Sequence, residues 1–265
     1  MKLYSLAKKH IKKLKLIRYS LLWVLVLISV MMMFQSFSGR KIQNVSVLDL
    51  ISDFGGATGT SNMAMFVFVL TPLFAFIIMK AIDNNEMPIK VIKNKLKVGV
   101  WNENVILLLI LSLILAAIII FIGYLFSGIV LGSYENKWTS DAGTFYKLLK
   151  DKENFLLYSE HLTTIKVLIL LFITKFLGLY AIGLLVALLK AKYNSNSAIL
   201  ILVTIFAIID GYYSRIPLIY QKTVISMENW KKVSSIFVNQ TYLLSLCILI
   251  YFLGRKVYQK KDFIN

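Results

Sequence analysis

The sequence predicts an all-α membrane protein with six transmembrane helices and both chain ends in the cytoplasm. Three observations carry this reading. The 265 residues are 58% hydrophobic and only 16% charged, with a mean hydropathy of +0.73, whereas a soluble domain carries about 25% charged residues. The apolar residues form continuous runs rather than an alternating pattern, which argues against a transmembrane barrel. The basic residues are distributed unevenly between the segments that join those runs.

A bilayer core of roughly 30 Å needs about 20 apolar residues per helix. Six segments meet this requirement: 19–37, 63–82, 105–131, 164–189, 197–212 and 233–254. The fifth is the shortest and ends near Asp210. With the N-terminus inside, segments 1–18, 83–104, 190–196 and 255–265 face the cytoplasm. Together with Lys80 they hold 18 of the 30 Lys and Arg residues. The three outward segments are longer but hold 10, and Lys166 and Lys175 lie within the fourth span. Such an excess of bases on one side orients a membrane protein. It accounts for the net charge of +17 without nucleic acid.

Residues 1–18 place Leu3, Leu6, Ala7, Leu14 and Ile17 at helical spacing, with Lys8, Lys9, Lys12, Lys13 and Lys15 on the remaining faces. This pattern predicts an amphipathic elbow helix on the cytoplasmic membrane surface, leading into the first span. Each base near anionic lipid contributes about 1 kcal/mol. The first span is too long for a secretory signal, and Ser36-Phe37-Ser38 is a poor cleavage site, so the span is expected to be retained. The outer segment 38–62 contains "GGATGTSN". No Lys follows Gly59, so this is a flexible turn and not a phosphate-binding loop. No other stretch supplies that motif.

The segment 83–101, "DNNEMPIKVIKNKLKVGVW", is too charged for lipid yet helical in pattern. Asn84, Asn85 and Glu86 are capping candidates, Pro88 suits a first turn, and Gly99 suits a C-terminal stop. Ile89, Ile92 and Leu96 recur at i, i+3 and i+7, beside a basic stripe of Lys90, Lys93 and Lys97. The spacing predicts an amphipathic cytoplasmic helix of about three turns. It is either a connector resting on the membrane surface or a docking element for a cytoplasmic partner.

In the third span Ser112, Ala116, Gly123, Ser127, Gly128 and then Gly132 provide small-residue spacing, and Gly183 and Ala187 do so in the fourth. Such spacing allows close helix packing in lipid. The outer segment 132–163 places Phe145, Leu148, Leu149, Phe155 and Leu156 on one face of a surface helix. Segment 213–232 reads as an interfacial or re-entrant hairpin, with Pro217 ending any helix begun before it.

Catalytic chemistry is sparse. His10 and His161 fall on opposite sides of the membrane and cannot share a metal. Cys247 is the single cysteine, which excludes an intramolecular disulfide or a thiolate cluster. No metalloprotease or nucleophile-elbow motif is present. Two charges lie within spans. Lys175 is 11 residues past Thr164, about 16 Å deep at 1.5 Å per residue, where an ammonium must face protein or water. Asp210 lies near the outer end of the next span. The two form either a structural pair or the polar wall of a transport pathway.

The whole layout resembles a type 2 ABC transporter permease, the membrane-spanning subunit of a bacterial ABC exporter, over essentially the full chain. The stretch "EMPIKVI" from Glu86 loosely resembles that family's coupling helix, in which an acid precedes an apolar-Pro turn. The small residues that usually follow the acid are missing, and Asn102 and Glu103 stand where a base often opens the third span. The resemblance implies that Glu86, Ile89, Lys90, Ile92, Lys93, Leu96 and Lys97 contact a separate cytoplasmic ATP-binding cassette ATPase. It implies that ATP and Mg belong to that partner, with no cofactor bound by this chain. It also implies pairing with a second permease subunit, identical or paralogous, in a bacterial cell membrane, and export of a peptide, antimicrobial or lipid-like cargo. The alternative is a non-ABC membrane protein: a channel, or a sensory or scaffold subunit. No filter, charged pore ring or three-plus-three repeat is evident.

Overall fold

The computed structural model describes residues 45–52, 60, 63–87, 97–213 and 215–261. The first predicted span, the elbow helix with Lys8, Lys9, Lys12 and Lys13, and Ile89, Lys90, Ile92, Lys93 and Leu96 lie outside the described residues. Every regular element among those described is helical. In chain order these are α1 Met63–Asn85, α2 Lys97–Leu131, α3 Thr144–Leu148, α4 Phe155–Ser159, α5 Thr164–Lys192, α6 Asn196–Tyr213, α7 Tyr220–Thr223, α8 Met227–Lys231 and α9 Val233–Lys260. Five of them, α1, α2, α5, α6 and α9, are long and apolar enough to cross a membrane. They coincide with the second to sixth predicted spans.

The helices continue past the apolar runs that predict them. α1 reaches Asn85, α2 begins at Lys97, and α9 reaches Lys260. The segment 83–101 is therefore divided. Its first residues end α1 and its last open α2, so Gly99 lies in the first turn of a long helix and stops nothing. A glycine stop needs a left-handed backbone, and that conformation occurs at Gly132. With φ 67° it caps α2, its N–H directed at the carbonyls of Gly128 and Ile129.

The central helix is α5, which packs against α9, α2 and α1, while α6 lies along α1. Small side chains make this possible. A Cβ at Gly178 would fall 2.0 Å from Thr223 Cγ2, and one at Gly254 of α9 would fall 2.2 Å from Trp101 Cζ2 of α2. Packing, with no hydrophobic drive between helices in lipid, holds such a bundle together. The outer faces carry Phe68, Phe76, Leu113, Phe121, Ile201 and Phe252, all exposed. A water-soluble bundle does not display such a surface; it suits a multi-pass membrane protein.

Wide π-turns interrupt α1 at Phe66–Leu70, α2 at Ile118–Ile122 and α6 at Ile209–Tyr213. A π-turn inserts a residue and re-aims the side chains around it. In α6 it carries Asp210, which is 1% exposed.

At the end of the bundle where α2 stops and α5 starts, the loops form a packed cap. The single surface helix predicted over 145–156 is instead α3 and α4, separated by a 3₁₀ turn at Lys152–Asn154. Phe145, Leu149 and Phe155 point inward, whereas Leu148 and Leu156 are exposed. The break lets the aromatic rings leave one helical face and meet in the core. Trp138 packs edge-on to Trp230 at 5.6 Å and beside Phe145 at 6.4 Å. Asp49, 1% exposed, lies beneath them. Its carboxylate accepts from the Trp138 indole at 2.7 Å, the Thr144 hydroxyl at 2.8 Å and the Ser46 amide at 2.8 Å. Burial pushes the Asp49 carboxyl up, against the lowering effect of these three donors and of Lys137.

Two outcomes follow from this packing. Gly254→Val should overpack the α2–α9 seam at a cost of about 1–3 kcal/mol, read as a lower melting temperature in detergent. A raised Asp49 pKa means that the folded state keeps a proton the unfolded chain has released. Stability should therefore fall as pH rises from 3.8 toward the folded value, then level off. Asp49→Asn should remove that part of the pH slope of Trp138 fluorescence melts; an unchanged slope would assign it to another group.

Candidate functional site

The polar residues concentrate at the opposite end of the bundle, around the last turn of α1, Asp83-Asn84-Asn85-Glu86. An acid there faces the unpaired carbonyls at a helix C-terminus, where negative charge is unfavourable. Each acid is answered by a lysine from the C-terminal end of another helix.

Asp83 pairs with Lys190 of α5 at 2.9 Å. Lys190 also donates to Asn196 Oδ1 at 2.7 Å and to the Asn194 carbonyl at 3.3 Å. Asn196, at the start of α6, donates back to Asp83 at 2.9 Å. This closed triangle joins α1, α5 and α6. The Asp83 side chain is 39% exposed, so solvent screening leaves its pairing weaker than the second cluster.

The second cluster is more deeply set. Lys261, just past α9, pairs with Glu86 Oε2 at 2.6 Å, the two side chains being 13% and 12% exposed. The Tyr258 hydroxyl donates to Glu86 Oε1. It accepts from Asn104 Nδ2 at 3.2 Å, and Asn104 Oδ1 accepts from Asn85 Nδ2 at 3.1 Å. Lys261 also lies 5.0 Å from the Tyr258 ring, and Trp101 packs on that ring at 4.9 Å. The Trp101 indole donates to the Tyr251 carbonyl at 3.2 Å. The Tyr258 hydroxyl both donates and accepts in this network, and both Glu86 carboxylate oxygens are engaged. Removing one partner of such a buried pair strands the other, at about 3–5 kcal/mol in soluble proteins.

These contacts locate the predicted site residues that are described. Glu86 spends both carboxylate oxygens inside the bundle, on Tyr258 and Lys261. Lys97 is exposed at the first position of α2, one turn before the buried Trp101. Lys175 is 1% exposed, its ammonium 4.6 Å from the Phe66 ring centroid of α1. Asp210 accepts main-chain amides from Leu218 at 2.8 Å and from Ile219 and Tyr220 at 2.7 Å each. It thereby anchors the chain as it returns through Pro217 into α7. Each of the two intramembrane charges thus has its own setting, and Asp210 serves as a main-chain anchor.

Sequence reading takes Asn85 only as a capping candidate and misses Asp83, Asn104, Lys190, Asn196, Tyr258 and Lys261. Two signals were available: acids in the last turn of a helix, and Asn104 followed at once by an unbroken apolar run. Among the described residues no group of three or more His, Cys, Asp or Glu could hold a metal ion. The arrangement ties helix ends to one another. The connection between α1 and α2 has one foot at Glu86 and the other at Trp101 and Asn104, and both feet are bound to α9. Through Asp83 the first foot is also bound to α5 and α6.

No known protein family, curated protein or solved structure matches the chain.

A double-mutant cycle tests the deeper cluster. Glu86→Gln and Lys261→Met should each lower stability, and the double variant should lose less than their sum by about 0.5–3 kcal/mol. Reversible unfolding in mixed detergent micelles supplies the measurement. Strict additivity would show that the two groups do not act as a pair.

Proposed function

We propose that this chain is the transmembrane permease subunit of an ATP-driven exporter, energised by a separate cytoplasmic ATPase that holds the ATP and Mg. The observation that supports this best is the anchoring of the α1–α2 connection at both feet. A push on the connection is delivered to α9 through Glu86, Tyr258 and Trp101, and to α5 and α6 through Asp83. A docking helix needs such rigid feet, because a loosely held handle dissipates the displacement it receives. In this reading Ile89, Lys90, Ile92, Lys93 and Leu96 form the face presented to the ATPase. Glu86 works behind that face as a foot.

The apolar outer faces suit a second permease subunit, identical or paralogous, as well as lipid. The cargo class that fits a mostly apolar bundle is an amphipathic or hydrophobic molecule, such as a peptide, an antimicrobial or a lipid-like compound.

Purification in mild detergent with the neighbouring cytoplasmic proteins tests the proposal. The expected result is a stoichiometric ATPase that is lost when Ile92 and Leu96 are changed to Asp. Glu86→Gln should leave that ATPase bound but lower cargo-stimulated ATP hydrolysis. A stable complex lacking any nucleotide-binding subunit would favour the channel, sensory or scaffold reading.

A further inference from the structure

The two polar clusters sort charge as well as joining helices. They draw Asp83 and Glu86 into contact with Lys190 and Lys261, and Glu103 is half-buried. Among the described residues, those classed as exposed and charged at this end are Lys80, Lys97, Lys192, Arg255, Lys256 and Lys260, all basic, while the partly exposed Asp83 side chain is paired with Lys190. The cap at the other end differs. It exposes Glu135, Asp141, Asp151 and Glu153 together with Lys147 and Lys152. Among the described residues, the charged side chains classed as exposed are thus of one sign at this end and of both signs at the other.

On α9 the bases continue an apolar face. Ile248, Leu249, Phe252 and Leu253 are 46–54% exposed. Arg255, Lys256 and Lys260 follow them on the same half of the helix, at 3.6 residues per turn, and are exposed as well. The opposite half carries Cys247, Ile250, Gly254 and Tyr258, all buried against the bundle. The outward face thus changes from apolar to basic within one turn, between Leu253 and Arg255. That transition is what a helix presents where acyl chains give way to headgroups. Long basic side chains there extend apolar stems along the lipid and place their charge at phosphate level.

We propose that Arg255, Lys256 and Lys260 form a binding surface for anionic phospholipid headgroups, and that the internal pairing of Glu86 and Lys261 keeps the Glu86 carboxylate off this surface. The inference rests on the membrane-spanning architecture and does not depend on the transporter reading. Each base near an anionic bilayer contributes roughly fivefold in association, so the three together define a preference and not a single tight site.

The test uses the full chain in nanodiscs of phosphatidylcholine alone and of an equal mixture of phosphatidylcholine and phosphatidylglycerol. The wild-type protein should melt at a higher temperature in the mixture. R255Q/K256Q/K260Q should lose that increment while keeping the wild-type melting temperature in phosphatidylcholine, which shows that it folds. Phosphatidylglycerol co-purified per protein should fall in the same variant. Absence of an increment in the wild type, or an equal increment in the variant, would overturn the proposal. So would an increment reproduced by inorganic phosphate with phosphatidylcholine alone, since the ligand would then be free phosphate.

Discussion

Two carboxylates in the last turn of a helix, at the edge of an apolar bundle, set the constraint on which the described architecture depends. The helix C-terminus repels both, and for Glu86, whose side chain is 12% exposed, the surrounding protein also withholds water. Asp83 and Glu86 are therefore stable only where cations and hydrogen-bond donors are brought to them. Those groups come from Lys190 and Asn196 on one side and from Lys261 and Tyr258 on the other. Satisfying two side chains thus brings the ends of all five long helices together in one arrangement. The seam between α2 and α9 follows from it, because Trp101 stacks on the tyrosine that serves Glu86.

The buried acids elsewhere are satisfied differently, according to what lies nearby. Asp49 sits among loops and takes neutral donors from an indole, a hydroxyl and an amide. Asp210 faces a chain reversal and takes three consecutive main-chain amides. Free amides are plentiful in turns but are consumed within helices. At the ends of long helices the donors must be side chains, and side chains from other helices create long-range ties. This difference is why one end of the bundle is stitched together helix to helix while the other is closed by a cap of loops.

Much of the architecture was legible because lipid imposes length and composition on each span. The second to sixth predicted spans coincide with α1, α2, α5, α6 and α9. Errors occurred where a residue's role depends on a distant partner. Gly99 looked like a helix stop, yet its backbone stays helical because α2 is held from its first turns by Trp101 and Asn104. Leu148 and Leu156 fitted one apolar face, but the cap draws in Phe145 and Phe155 and leaves both leucines outside. The sequence reads Glu86 as a residue facing a partner, and in the fold its two carboxylate oxygens meet Tyr258 and Lys261. The reason for its position lies 172 residues away, at Tyr258.

Run length and residue type are local quantities, and by themselves they determined the helical class and the positions of the five long apolar helices. The pairing of Asp83 with Lys190, of Glu86 with Lys261, and of Asp210 with the amides beyond Pro217 was decided only by tertiary structure. The physical reason is that burial makes an unpaired charge costly wherever it sits, while the identity of the group that relieves the cost depends on which helix ends are brought side by side.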